Sequence, residues 1–148
     1  MKQAPHLFLD ASVLIAAAGS KTGGSALILE LCRHRKAKAK TSHLVLLEAE
    51  RNIRAKLGPD VLLRFYQEIV SIDIELVETP TPHEIAAQRR IIDPKDAHVL
   101  AAAVKGDVAF LLTLDRKHFI SPKVIQAGLP FQIMTPGDFL HLWLQAQI

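Results

Sequence analysis

Four acidic residues stand where they could bring a metal ion to a phosphate ester. Asp10 ends the apolar run 7–9, and Asp115 follows the apolar run 108–114, just past Thr113. Asp96 closes Asp93-Pro94-Lys95-Asp96, a helix-start pattern, and Glu48 lies six residues after Ser42, which can cap the helix that carries it. Gathered together, such acids repel: two unit charges about 4 Å apart cost about 4 kcal/mol at an effective dielectric near 20. Protons or a cation must offset that repulsion. All-oxygen ligation suits hard ions such as Mg²⁺ or Mn²⁺. A site of this kind can orient and deprotonate water and hold a phosphodiester's oxygens, which is the chemistry of phosphoester hydrolysis.

Each acid also has an ordinary structural use. Asp10 can cap the turn after it. Asp96 can complement a helix N-terminus. Glu48 can pair along its helix with Arg51 or Asn52, and Asp115 can serve a turn before Arg116-Lys117.

For the four to meet, the elements around them must deliver distant residues to one edge. Residues 6–10 read as a buried strand, and 12–18 as a helical turn or two halted by Gly19. Residues 25–35 are helical, with Leu27, Ile28, Leu31 and Cys32 on one face, and 37–41 form a short strand. Helices follow from Ser42 to about Lys56, ended by Gly58, and over 60–70. Ile72, Ile74 and Leu76 alternate with polar residues, which predicts a half-buried strand over 71–78. Thr81-Pro82-His83-Glu84 and Asp93-Pro94-Lys95-Asp96 share one helix-start form: a cap, a proline, and an acid at the third position. The second start opens a helix to about Lys105. Strands over 108–114 and 131–134, a short helix at Ser121-Pro122 and a C-terminal helix capped by Thr135-Pro136-Gly137-Asp138 complete the chain. Strands separated by helices imply an α/β fold with a parallel sheet covered on both faces. Ligands of such sheets bind beyond the carboxyl ends of the strands. Asp10 and Asp115 emerge there, and Asp96 and Glu48 can face the same edge.

Composition sets the outer bounds. The chain has 148 residues, 49% apolar and 22% charged, which fits a single folded domain over 1–148 and excludes disorder and collagen-like repeats. One cysteine, Cys32, permits no intramolecular disulfide and fits a reducing, cytoplasmic setting. No run approaches the length of a membrane span. The N-terminus imitates a signal peptide at residues 7–9 and 13–18, but Asp10 interrupts it. Seven histidines and Cys32 show no zinc spacing, and Gly23-Gly24-Ser25 lacks the lysine of a phosphate loop. Trp143, with Leu140 and Leu144, suits a core or an interface. The net charge is +3. It is unevenly spread, with eight basic residues between Arg33 and Lys56 against two acids, Glu48 and Glu50. Such runs are usually solvated helix faces. With the net charge they hint at an anionic partner but name none.

Taken in order, these motifs give the chain a resemblance to the PIN-domain ribonucleases, which include the VapC-type toxins of toxin–antitoxin pairs. Leu7-Phe8-Leu9-Asp10-Ala11-Ser12 is similar to that family's first motif. Ser42 through Glu48 resembles the second, Asp93-Pro94-Lys95-Asp96-Ala97 the third, and Leu112-Thr113-Leu114-Asp115 the fourth. The ending Thr135-Pro136-Gly137-Asp138-Phe139-Leu140 resembles the tail of a subgroup of toxin components. The resemblance implies a three-layer α/β/α sandwich with a central, mainly parallel sheet. It also implies a Mg²⁺- or Mn²⁺-dependent endoribonuclease with Asp10, Glu48, Asp96 and Asp115 as the catalytic, metal-binding acids. Ser12 and Thr113 take supporting positions, where a hydroxyl can hold a carboxylate. Asp93 reads as a cap that supports Asp96. Glu50 points about 200° away from Glu48 on a helix, so only one of the two can face the site, and the spacing from Ser42 favours Glu48. A homodimer and a cognate antitoxin are implied as well. An RNA substrate gives the basic residues a second reading: Arg51, Arg54, Arg116 and Lys117 are the candidates for RNA contact, with His118 beside Lys117 and Arg33–Lys40 further out. Two rivals stand beside this reading. One is a catalytically silent PIN-like module that binds RNA or protein, or a PIN nuclease of RNA processing. The other is a haloacid-dehalogenase-type phosphatase, which would want an aspartate where Ser12 stands.

Overall fold

The run His6-Leu7-Phe8-Leu9 has no polar residue after His6, so as a strand it must be covered on both faces. In the computed structural model, which describes residues 3–147, it is β1 (His6–Leu9), and Leu7, Phe8 and Leu9 are fully buried. The chain continues through α1 (Ala11–Gly19), α2 (Gly24–Arg33), β2 (Lys38–Thr41), α3 (His43–Leu57), α4 (Pro59–Ser71) and β3 (Glu75–Leu76). It then forms α5 (Pro82–Gln88), a 3₁₀ turn (Pro94–Asp96), α6 (Ala97–Lys105), β4 (Phe110–Leu112), α7 (Arg116–Phe119), α8 (Pro122–Ile125), β5 (Gln132–Met134) and α9 (Pro136–Gln147).

Local chemistry explains most boundaries. The Ser42 hydroxyl accepts the Val45 N–H and starts α3. Gly58, at φ 89°, ends α3 and turns the chain into α4, a conformation that only glycine adopts without strain. Thr81 and Glu84 form a reciprocal capping box at α5.

The five strands are ordered β3-β2-β1-β4-β5, and every pairing is parallel. Crossovers in parallel sheets are right-handed. The connections β1–β2 and β2–β3 step one way across the sheet, and β3–β4 and β4–β5 step the other. Helices α1 to α4 therefore lie on one face and α5 to α8 on the other, giving the three-layer α/β/α sandwich. In keeping with this, α1 packs on α2, α3 and α4, while α5 packs on α6; α9 returns to lie against α2. Cys32 is buried in this core, and Trp143 packs against its edge. Burial pushes the Cys32 thiol pKa up to about 12. Among the described residues no single helix is long and apolar enough to cross a membrane.

Two strands are shorter than their sequences predict. The alternation over 71–78 yields only Glu75–Leu76, because α4 runs to Ser71, Ile72 is its C-cap and Asp73 takes φ 52°. Leu76 is 49% exposed, so the apolar alternation does not mark one buried face. The strand predicted over 108–114 pairs over Phe110–Leu112. Its hydrogen bonding extends one residue each way, from Ala109 N–H to the His6 carbonyl and from Thr113 N–H to the Met134 carbonyl.

Candidate functional site

Strand order reverses between β1 and β4, and at such a switch point the diverging connections leave a crevice beyond the carboxyl ends. Asp10 stands there at the N-cap position of α1, yet its side chain makes no cap hydrogen bond. Its Oδ2 accepts instead from the Ser12 hydroxyl at 3.0 Å and the Thr113 hydroxyl at 2.8 Å. Those hydroxyl oxygens also accept backbone N–H groups past β4, Leu114 on Ser12 at 3.0 Å and Asp115 on Thr113 at 3.1 Å. Ser12 and Thr113 thus lace the two central strands together and fix the Asp10 carboxylate between them. Asp10 is buried. That burial raises its pKa against the pull of the two hydroxyls, and the negative charge of Asp115 raises it further.

The other acids arrive from both faces. Helix α6 leads into β4, so it runs antiparallel to the strands and starts at the carboxyl edge, where Asp96 sits. Glu48 comes from the second turn of α3. An open cleft of about 270 Å³ is lined by Asp10, Ser12, Glu48, Asn52, Lys95, Asp96, Asp115 and Phe119, among others. Glu50 does not line it. Desolvation raises the pKa of Asp96; Lys95 and His118 oppose the rise, and Asp115 and Asp10 add to it. Partial desolvation also raises Glu48, helped by Asp10 and Asp96 and opposed by His98 and Arg51. The amide of Asn52 donates to the Glu48 backbone carbonyl, not to its carboxylate.

The donor set fits a divalent cation. One carboxylate oxygen each of Asp96 and Asp115 and a ring nitrogen of His118 lie within 4.8 Å of one another; Asp10 and Glu48 line the same cleft outside this tight group. Asp96 Oδ2 is buried and has no hydrogen-bond partner. Such an orphaned acceptor is costly until a proton or a cation supplies its missing partner.

The remaining candidates are spread more widely. Asp93 accepts the Lys95 N–H at 3.0 Å and caps the 3₁₀ turn that presents Asp96. Arg51, Arg54, Arg116 and Lys117 are exposed and do not line the cleft. Arg116 lies 3.9 Å from Asp138. Lys40, the inner end of the basic run from Arg33, is buried: its Nζ donates to the Gly106 carbonyl at 2.8 Å and lies 3.5 Å from Glu75. It is therefore withdrawn from the surface that the charge run suggested, because its ammonium is held by the carbonyl at the end of α6.

Lys95 and Asn52, which line the cleft, escape sequence reasoning, and so does the role of His118: expected beside Lys117 as a phosphate contact, its Nδ1 instead meets Asp115 at 2.8 Å. A signal existed for each: Asn52 is one helical turn past Glu48, Lys95 adjoins Asp96, and His118 follows Asp115 at i+3.

With this geometry in hand, the chain can be set against known proteins. A family model described as PIN domain matches residues 6–117. No curated protein matches. The crystal structure of PAE2754 from Pyrobaculum aerophilum is similar with a TM-score of 0.61 at 22% identity, over 97% of this chain and 90% of that one. The structure of VapBC2 from Rickettsia felis, bound to a DNA fragment from their promoter, is similar with a TM-score of 0.64 at 15% identity, over 87% of this chain and 98% of that one. At these identities the two structures show a shared fold.

Proposed function

We propose, on the premise that the chain belongs to the PIN-domain family, that it is a Mg²⁺- or Mn²⁺-dependent endoribonuclease and the toxin of a toxin–antitoxin pair. The observation that carries the nuclease reading is the orphaned, buried oxygen of Asp96 facing other carboxylates at the switch point of the sheet. The likeness to the VapBC2 structure supports the toxin role and a cognate antitoxin; a homodimer and a cytoplasmic setting complete the proposal.

Asp10, Glu48, Asp96 and Asp115 would hold the ion. When bound, it would supply positive charge to the scissile phosphate and lower the pKa of a water. The chain's own residues do the rest. Ser12 and Thr113 keep Asp10 in one orientation, so no reorganisation is needed when substrate arrives. Glu48, the most exposed of the four acids, is placed to accept the proton that the attacking water loses as its oxygen bonds to phosphorus. The P–O bond to one ribose breaks, and that oxygen leaves with a proton from solvent. Lys95 lines the cleft beside the acids and is placed to meet a phosphate oxygen. Arg51, Arg54, Arg116 and Lys117 would carry the flanking RNA backbone.

The test is RNA cleavage by Asp10→Asn and Asp96→Asn. Both variants should lose Mg²⁺-dependent cleavage and keep the wild-type circular dichroism spectrum. Cleavage at the wild-type rate by either would show that the site is assigned wrongly.

A further inference from the structure

Asp115 is held by a single residue through both of its oxygens. Its Oδ1 accepts the backbone N–H of His118 at 3.1 Å, and its Oδ2 meets His118 Nδ1 at 2.8 Å. Carboxylate oxygens only accept, so Nδ1 carries the proton in this contact. The first bond is a helix cap that any residue but proline would make at position 118. The second belongs to the imidazole alone. The next residue, Phe119, is 1% exposed, and its burial anchors the single turn of α7 that turns His118 back over Asp115. Across the cleft, one oxygen of Asp96 and one of Asp115 lie in the same 4.8 Å group as a His118 nitrogen. Two carboxylates that close repel, and a side chain with a free χ1 would turn away.

We propose that His118 is a positioning residue for Asp115: its Nδ1–H holds the carboxylate facing Asp96, so that the pair is preset to receive a divalent cation. This rests on the reading of the cleft as a metal site. Braces of this kind are worth roughly 10- to 100-fold in metal affinity. His118 contributes no ligand atom in this role, and that sets it apart from the acids it serves.

Isothermal titration of the whole chain with MnCl₂ tests the assignment through four proteins. Against wild type, His118→Ala should weaken Mn²⁺ binding about tenfold or more. His118→Asn places an amide N–H₂ where Nδ1 stands and should bind within about threefold of wild type. His118→Gln, whose amide stands where Nε2 stands, should be as weak as His118→Ala. Wild-type affinity in His118→Ala would overturn the assignment, as would equal loss in His118→Asn and His118→Ala. Rescue by His118→Gln and not by His118→Asn would overturn it too, by making the ring itself the ligand. A wild-type chain that binds no Mn²⁺ would overturn the metal reading beneath it. Intact Mn²⁺ binding and RNA cleavage in wild type, with no effect of His118→Ala, would remove the role of His118 alone.

Discussion

Thr81-Pro82-His83-Glu84 and Asp93-Pro94-Lys95-Asp96 are the same sentence in sequence and opposite statements in structure. At α5 the acid completes its own cap: Glu84 Oε1 accepts the Thr81 N–H at 2.8 Å and the Lys105 ammonium at 2.8 Å. Its pKa falls to about 2, first through the bond from Lys105 and then through that from Thr81. Before α6 the cap is closed by Asp93, and the acid is left over. Asp96 keeps a buried oxygen with no partner, and desolvation raises its pKa. Side-chain length accounts for part of this, since Asp is one methylene too short to reach back as Glu84 does. Position accounts for the rest: Asp96 opens onto the switch point among other acids, whereas Glu84 lies in reach of Lys105 at the far end of α6. An acid satisfied by its neighbours is structural; one denied that satisfaction is available to a ligand.

The contrast can be broken by exchanging the two losses. Asp96→Asn should reduce RNA cleavage on the order of 10²–10⁴-fold without lowering the melting temperature of the metal-free protein. Glu84→Gln should do the reverse, lowering the melting temperature and leaving kcat/KM unchanged. Lost cleavage in Glu84→Gln would erase the distinction. A thermal shift with metal sharpens it: Mn²⁺ at a hundred times its Kd should stabilise wild type and Glu84→Gln by about 2.7 kcal/mol and should leave Asp96→Asn nearly unmoved.

Acid unfolding should separate the two in sign. Glu84 has a folded pKa of about 2 against an ordinary 4.5. Its stabilisation is therefore present above 4.5 and lost as pH falls toward 2. Asp96 is raised from 3.8, so the metal-free fold holds its proton more tightly than the unfolded chain does. Its contribution is present below 3.8 and is lost as pH rises through the folded value. Urea midpoints across the acid range should show Glu84→Gln losing the first dependence and Asp96→Asn the second. The smallest effect belongs to the outer basic residues. Arg116→Ala should lower the slope of RNA affinity against salt by about one and spare cleavage at saturation, read by fluorescence anisotropy.

The strand-end acids were legible because an apolar run that stops at a charge has one physical meaning in a parallel sheet. Asp10, Thr113 and Asp115 are visible in that way. The hydrogen bonds that fix Asp10 between the two central strands join Ser12 to Leu114 and Asp10 to Thr113, across a hundred residues of chain, and no local pattern announces them. Ile72, Ile74 and Leu76 misled because a helix C-cap followed by a left-handed Asp73 can leave the same spacing as a strand. Lys40 read as surface charge because the chain carries no mark of the carbonyl that receives it. His118 reads with Arg116 and Lys117 as a phosphate contact, and only the fold of α7 shows that its i+3 relation to Asp115 is the one that is used.

Gly106 ends α6, and a Cβ there would stand 2.7 Å from Val77 Cγ1. The missing side chain lets the helix end settle against the sheet, close enough for Lys40 to take its carbonyl. Nine residues separate this anchor from the other end of α6, a rod about 14 Å long. Asp96 rides on the opposite tip. The gauge of the cleft is therefore set remotely, and Gly106→Val, which touches none of its walls, would jack the helix outward and open the jaw in which the carboxylates meet.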